Sequence, residues 1–247
     1  MEQGRTVEAT GLYEQLVALD PLDTEARARL CKLYQNQGRF DRMLEVMMLA
    51  YAQDTMGHVA NLNLGTFHRN APAPYADAVK AEKHLRRALL TDPFDSYNLT
   101  ELAALVMDQG RADEAARLCE RALVRAPGDY NCNCFLGRYH HERKRLDFAQ
   151  GYFERGLADR PGNAQAMIGL ASVLIDMGPA HRARAKVLLE QAAQIRPDDA
   201  LMWLNLAEYH INFGSSDEAA RCYRRALDLD PSMSDPLLER KLRAAGL

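Results

Sequence analysis

Tryptophan occurs once in the 247 residues, at Trp203, lysine six times and cysteine five times. The cysteines (Cys31, Cys119, Cys132, Cys134, Cys222) are odd in number and scattered. That argues against a disulfide framework and fits a chain kept reduced. No apolar run approaches the ~20 residues that span a bilayer, so no membrane span is expected. The first thirty residues also lack a signal-peptide core. A cytoplasmic setting is the expectation, with a periplasmic one open for a mature or excised fragment. A basic excess is missing as well: 31 Lys and Arg stand against 34 Asp and Glu, a net charge of −3. Nothing recommends nucleic acid as a partner.

Catalytic signatures are missing too. There is no G-x-S-x-G, no Gly-x4-Gly-Lys-Ser/Thr, no H-E-x-x-H and no G-x-G-x-x-G. The chain is expected not to be an enzyme, with no catalytic residue, no cofactor and no metal. The densest constellation is Cys132-Asn133-Cys134 followed by His140-His141-Glu142. Residues two apart on a helix point roughly 200° away from each other, so Cys132 and Cys134 do not converge on one ion. Cys134 and His141, seven apart, share a face, but a packed cysteine and a solvated histidine pair is the preferred reading.

What the chain has in abundance is alanine, at 37 residues, within 47% hydrophobic and 26% charged composition. It also has a beat. Pro93, Pro127 and Pro161 are 34 apart, Pro197 follows after 36 and Pro231 after 34 more, while Pro21 stands 72 before Pro93. That interval holds two units with one unmarked join near Thr55. Nine residues after each start comes leucine (Leu30, Leu64, Leu102, Leu136, Leu170, Leu206) and then a small residue or Cys31. Later in each unit Ala81, Ala115, Ala149, Ala185 and Ala219 recur, with Met43 the exception. Seven residues further on, Ala50, Ala88, Ala122, Gly156, Ala192 and Ala226 recur. Small residues in register let two helix axes approach closely while leucine fills the space between.

Helix ends repeat with the same beat. Asp23, Asp95, Asp129, Asn163 and Asp199 stand two residues after a proline, with Gly57 in the unmarked unit. The five polar ones are N-cap types that accept a first-turn N–H. Gly38, Gly110, Gly178 and Gly214 mark the turn after a first helix, and Asp41, Asp113, Asp147 and Asp217 set negative charge at the start of a second. Each unit predicts helix, short turn, helix.

The last full unit reads Trp203-x2-Leu206-Ala207-x2-His210, Ala219-x3-Tyr223, Pro231. It resembles the tetratricopeptide repeat (TPR) family, whose signature is W-x2-L-G-x2-Y, A-x3-F and P. The resemblance covers essentially the whole chain. It implies an all-α fold, a right-handed superhelical solenoid of helix-turn-helix repeats over residues 1–247. Full repeats are expected at 22–54, 55–92, 93–126, 127–160, 161–196 and 197–230. A half repeat is expected at 4–20 and a capping helix at 232–247. The array departs from the signature at His68, His140 and His210, which stand for tyrosine, and at an Ala71-Pro72-Ala73-Pro74 insertion. The three histidines read as aromatic-sized packing residues.

In this family the first helices line a concave groove. Counting four, eight, eleven and fifteen residues from each unit start, the resemblance implies a groove stripe. Its members include Arg29 and Lys32, Asn63 and Thr66, Tyr97 and Glu101, Asn131 and Arg138, Gln165 and Ser172, and Asn205 and Glu208, with Arg69 beside it. Asn63, Asn131 and Asn205 are expected to hydrogen-bond a peptide main chain, since an amide both donates and accepts. The Lys, Asn and Arg set of the family's carboxylate clamp does not map onto any three units. The expected function is a noncatalytic scaffold for protein–protein interaction, binding a protein or peptide ligand, or a partner helix. A second expectation is a recruitment segment of a larger bacterial enzyme or secretion component: a glycosyltransferase, polysaccharide export or pilus assembly. A third is homo-oligomer formation through the apolar stripe of residues 5–19.

Overall fold

The computed structural model describes residues 2–21 and 23–246. Met1, Leu22 and Leu247, which fall within the expected repeat boundaries, lie outside the described residues, as do the side chains of residues 2–4. The described residues form fourteen α-helices and two short 3-10 turns, and no strand is found among them. They fall into two compact units, Met1–Arg125 and Ala126–Leu247.

The first unit opens with α1 (Glu2–Leu19) and continues with three hairpins: α2 (Thr24–Asn36) and α3 (Phe40–Gln53), α4 (His58–Asn70) and α5 (Ala78–Thr91), and α6 (Ser96–Asp108) and α7 (Ala112–Arg125). The second holds α8 (Tyr130–Glu142) and α9 (Leu146–Asp159), α10 (Ala164–Met177) and α11 (Arg182–Ile195), α12 (Ala200–Phe213) and α13 (Ser216–Leu229), and closes with α14 (Pro236–Ala244).

Helix starts follow the capping residues. Asp23, Asp95, Asp129, Asn163 and Asp199 each accept a first-turn backbone N–H at 2.8–3.2 Å. Asp77 caps α5 and Asp235 caps α14 in the same way. Turn geometry accounts for three of the four marked glycines. Gly38, Gly110 and Gly178 have φ of 69°, 77° and 100°, the region that costs a side chain roughly 1–2 kcal/mol. After Gly38 and Gly110 the next N–H returns to the carbonyl five residues back, Arg39 to Tyr34 and Arg111 to Val106, both at 2.9 Å. Gly214 departs from the expectation, with φ −124°. A Cβ there would meet His210 Nδ1 at 2.6 Å, so close approach, not handedness, requires glycine.

The small-residue register is the seam of the hairpins. Ala81, Ala115, Ala149, Ala185 and Ala219 are fully buried, as are Ala88, Ala122, Ala192 and Ala226. Leu64, Leu102, Leu136 and Leu170 are fully buried between them and Leu30 nearly so, while Leu206 is half-buried. Burial of each leucine side chain stabilises by about 1.5–3 kcal/mol. Hydrophobic packing inside each hairpin is what presents the opposite face of its first helix outward.

Candidate functional site

In the first unit, Arg29 and Lys32 lie exposed on α2, and Arg29 pairs with Glu25 at 2.8 Å one turn back. Lys32 has no ion pair among the described residues. Asn63 is exposed on α4. Thr66 is half-buried, and its hydroxyl donates to the Leu62 and Asn63 carbonyls at 3.0 Å, so it serves its own helix. Arg69 reaches across to α6 and meets Glu101 at 2.7 Å, with 21% and 15% of the two side chains exposed. That pair joins consecutive first helices. Tyr97 stands beside it, more than half exposed.

In the second unit, Asn131 and Arg138 of α8 and Gln165 of α10 are exposed. Ser172, Asn205 and Glu208 line a hollow of about 150 Å³ together with Lys241 of α14. Asn205 differs from the expectation of an open amide. It is 5% exposed, and its Nδ2 donates to the Leu201 carbonyl at 2.9 Å. The cause is α14, whose Leu237 and Leu238 help to enclose the hollow. Burial, with the nearby Asp176, pushes the Glu208 carboxyl up, and Lys241 opposes that. Asp176 itself accepts from Lys144 Nζ at 2.8 Å and lies 3.0 Å from His141 Nε2. Burial would raise its carboxyl, but these two partners outweigh burial and hold it low.

The expected solvated histidine pair is not found: His140 is buried, and His141 is half-buried against Asp176. Cys132 and His140 are buried, and His140 stacks on Tyr152 at 5.3 Å. Cys134 lies against Gly156, where an added Cβ would meet its Sγ at 3.2 Å. His68 is buried, and its Nδ1–H donates to the Tyr75 carbonyl at 3.0 Å.

Two features escaped sequence reading. His58 at the start of α4 bridges the Ala88 carbonyl (3.0 Å) and Asp95 (2.7 Å), tying α4 to α5 and to the cap of α6. A cleft of about 810 Å³ also opens in the first unit between the α2–α3 hairpin and α4. Its one signal in the sequence is Met43, the methionine that breaks the alanine register.

Helical hairpins packed in series through small residues, with polar first-helix faces turned outward, define an α-helical repeat protein of the interaction-scaffold class. The chain belongs to the tetratricopeptide repeat family: two family descriptions, both "Tetratricopeptide repeat", match residues 1–57 with 180–244, and residues 77–130. Human tetratricopeptide repeat protein 7B is 27% identical over 123 residues, which is 50% of this chain and 14% of that protein. Among solved structures, Pseudomonas aeruginosa pilF is similar with a TM-score of 0.67, 20% identity and coverage of 97% of this chain and 99% of that one. YrrB, described as a TPR protein with an unusual peptide-binding site, is similar at 0.65 and 16%, covering 81% of this chain and 98% of that one. MamA follows at 0.59 and 20%, covering 71% and 92%. At these identities the likeness is one of fold. No helix among the described residues is long and apolar enough to cross a membrane.

Proposed function

We propose that the protein is a noncatalytic scaffold that holds a peptide or partner helix along the outward faces of its first helices. The observation that carries this reading is a set of polar side chains with no structural duty. Asn63, Asn131 and Gln165 are exposed, and none makes a side-chain hydrogen bond among the described residues. They stand on helices whose other faces are fully buried. Amides left open in this way offer a donor and an acceptor to a peptide main chain, and repeat proteins present such extended surfaces to ligands. Arg138 adds a cationic fork in the second unit, suited to a carboxylate of the ligand.

The test uses peptides selected against the full chain from a phage-displayed random library. Replacing Asn131 and Arg138 together by alanine should weaken peptides bound to the α8–α10 face at least tenfold with no change in the far-ultraviolet helical signal. Undiminished affinity of every selected peptide for that variant contradicts the assigned face.

A further inference from the structure

Three positions in each full repeat form the close-packed seam of the hairpin: the small residue after the core leucine, which faces the second helix of its own hairpin (Gly65 against Leu85, Gly137 against Phe153), and two on the second helix. In the five repeats from α4 to α13 all three are buried, as at Gly65, Ala81 and Ala88. In the α2–α3 repeat the same positions are Cys31, Met43 and Ala50, and all three are half-buried. They line the 810 Å³ cleft. Methionine in the place of alanine keeps α2 and α3 from packing as closely as the other hairpins, because a close-packed seam has no room for the longer side chain. α4 meets α3 but scarcely meets α2, so the space between these two first helices stays open. The core around Leu30 and Val46 accordingly draws its members from α1, α2 and α3 alone among the described residues. The seam is open.

Its shape fits a helix. On α2 the lining steps from Ala28 to Gln35 through Cys31, and on α3 from Met43 to Ala50 through Met47. These are i, i+3 or i+4, i+7 stripes, so each wall is a single helix face with rows that another helix can interlock. Directly over Met43, Val46 and Met47 an extended peptide would leave N–H and C=O groups unpaired, because the helical walls have spent their backbone groups. A helix satisfies its own backbone. Methionines on the floor adapt to varied apolar side chains.

Charge narrows the occupant. Arg27 and Lys32 line the α2 side. Arg27 donates to the Pro21 carbonyl, not to a carboxylate, and Lys32 has no ion pair among the described residues. Asp54, the lining carboxylate, accepts from the Met56 N–H at 3.0 Å and so serves its own turn. We infer that the cleft seats one amphipathic helix of a partner protein. That helix carries an apolar ridge spaced i, i+3 or i+4, i+7 and an Asp or Glu beside it that faces Lys32. This rests on the scaffold reading above and names the occupant of its α2–α4 part, since Lys32, Asn63, Thr66 and Tyr97 of that face line the same cleft.

The probe is the same phage-displayed library, of 16-residue peptides, selected against the full chain. Among the enriched peptides one class should carry the ridge with an acidic flank. It should lose at least tenfold in affinity on Met47→Glu and keep its affinity on the Asn131 and Arg138 double replacement. Lys32→Glu, at an exposed position that leaves folding untouched, should shift that class towards peptides with Lys or Arg flanks. Peptides that all depend on Asn131 and Arg138, and on neither Met47 nor Lys32, would overturn the cleft and keep the outward face. A library that yields no binder contradicts both. Sedimentation of the chain alone supplies the last arm: an oligomer that Met47→Glu converts to monomer makes the occupant a second copy and overturns a foreign partner.

Discussion

The ring of Phe153 in α9 occupies the space that a side chain at Gly169 in α10 would need, 2.5 Å from where a Cβ would stand. Gly137 in α8 is closed by the same ring at 2.8 Å. One aromatic side chain thus locks the second helix of one repeat against the first helices of that repeat and the next. Gly169→Ala should destabilise by up to about 2 kcal/mol, because overpacking costs ~1–3 kcal/mol and the gain in helix propensity offsets ~1. Gly151, in the same α9, has nothing within 4 Å of its added Cβ. Gly151→Ala should instead stabilise by up to about 1 kcal/mol. Denaturation midpoints of the two variants should move in opposite directions, and a shared direction would refute the wedge.

A buried histidine makes the first unit less stable in acid. Asn61 donates through Nδ2 to the Thr55 and Gly57 carbonyls, so its Oδ1 is left to accept from His84 Nδ1 at 2.9 Å. Burial lowers the His84 pKa from 6.5 to about 4, with His68, Lys83 and Arg87 adding to the effect. Between those values the unfolded chain binds the proton and the folded one does not. Stability is therefore full above about pH 6.5 and falls by roughly 3 kcal/mol as pH drops to about 4. Proton NMR should show the His84 imidazole still neutral at pH 5.5. Titration near 6.5 would contradict the burial account.

Glu101→Ala leaves the Arg69 guanidinium, 21% exposed, without its carboxylate. Loss of one member of a largely buried pair should cost about 1–3 kcal/mol. Glu101→Gln, which keeps an acceptor, should cost less. A pair used for ligand rather than for structure would give no change in melting temperature and a change in peptide affinity alone.

Much of the fold was legible because its causes are local. A proline beat, five capping side chains and positive-φ glycines each act within one turn of chain, so their spacing in sequence is their spacing in space. The faces of the first helices were legible for the same reason: Asn63 and Asn131 are exposed where periodicity puts them. What periodicity does not contain is the neighbour. Asn205 shares the register of Asn63 but is buried, because α14 lies over it. Arg69 and Glu101, 32 residues apart, satisfy each other because two helices of consecutive repeats come into line. The cleft beside Met43 depends on how α2, α3 and α4 stand to one another, an arrangement that no single helix encodes.

Hydrogen–deuterium exchange of the full chain, with and without a peptide selected from the library, tests the ligand-bearing face most directly. Slowed exchange should fall on first helices of the unit the peptide binds, α2 and α4 or α8 and α10, together with α3 where the peptide takes the cleft. Protection confined to the second helices α5, α7, α9, α11 and α13, or none anywhere, would contradict it.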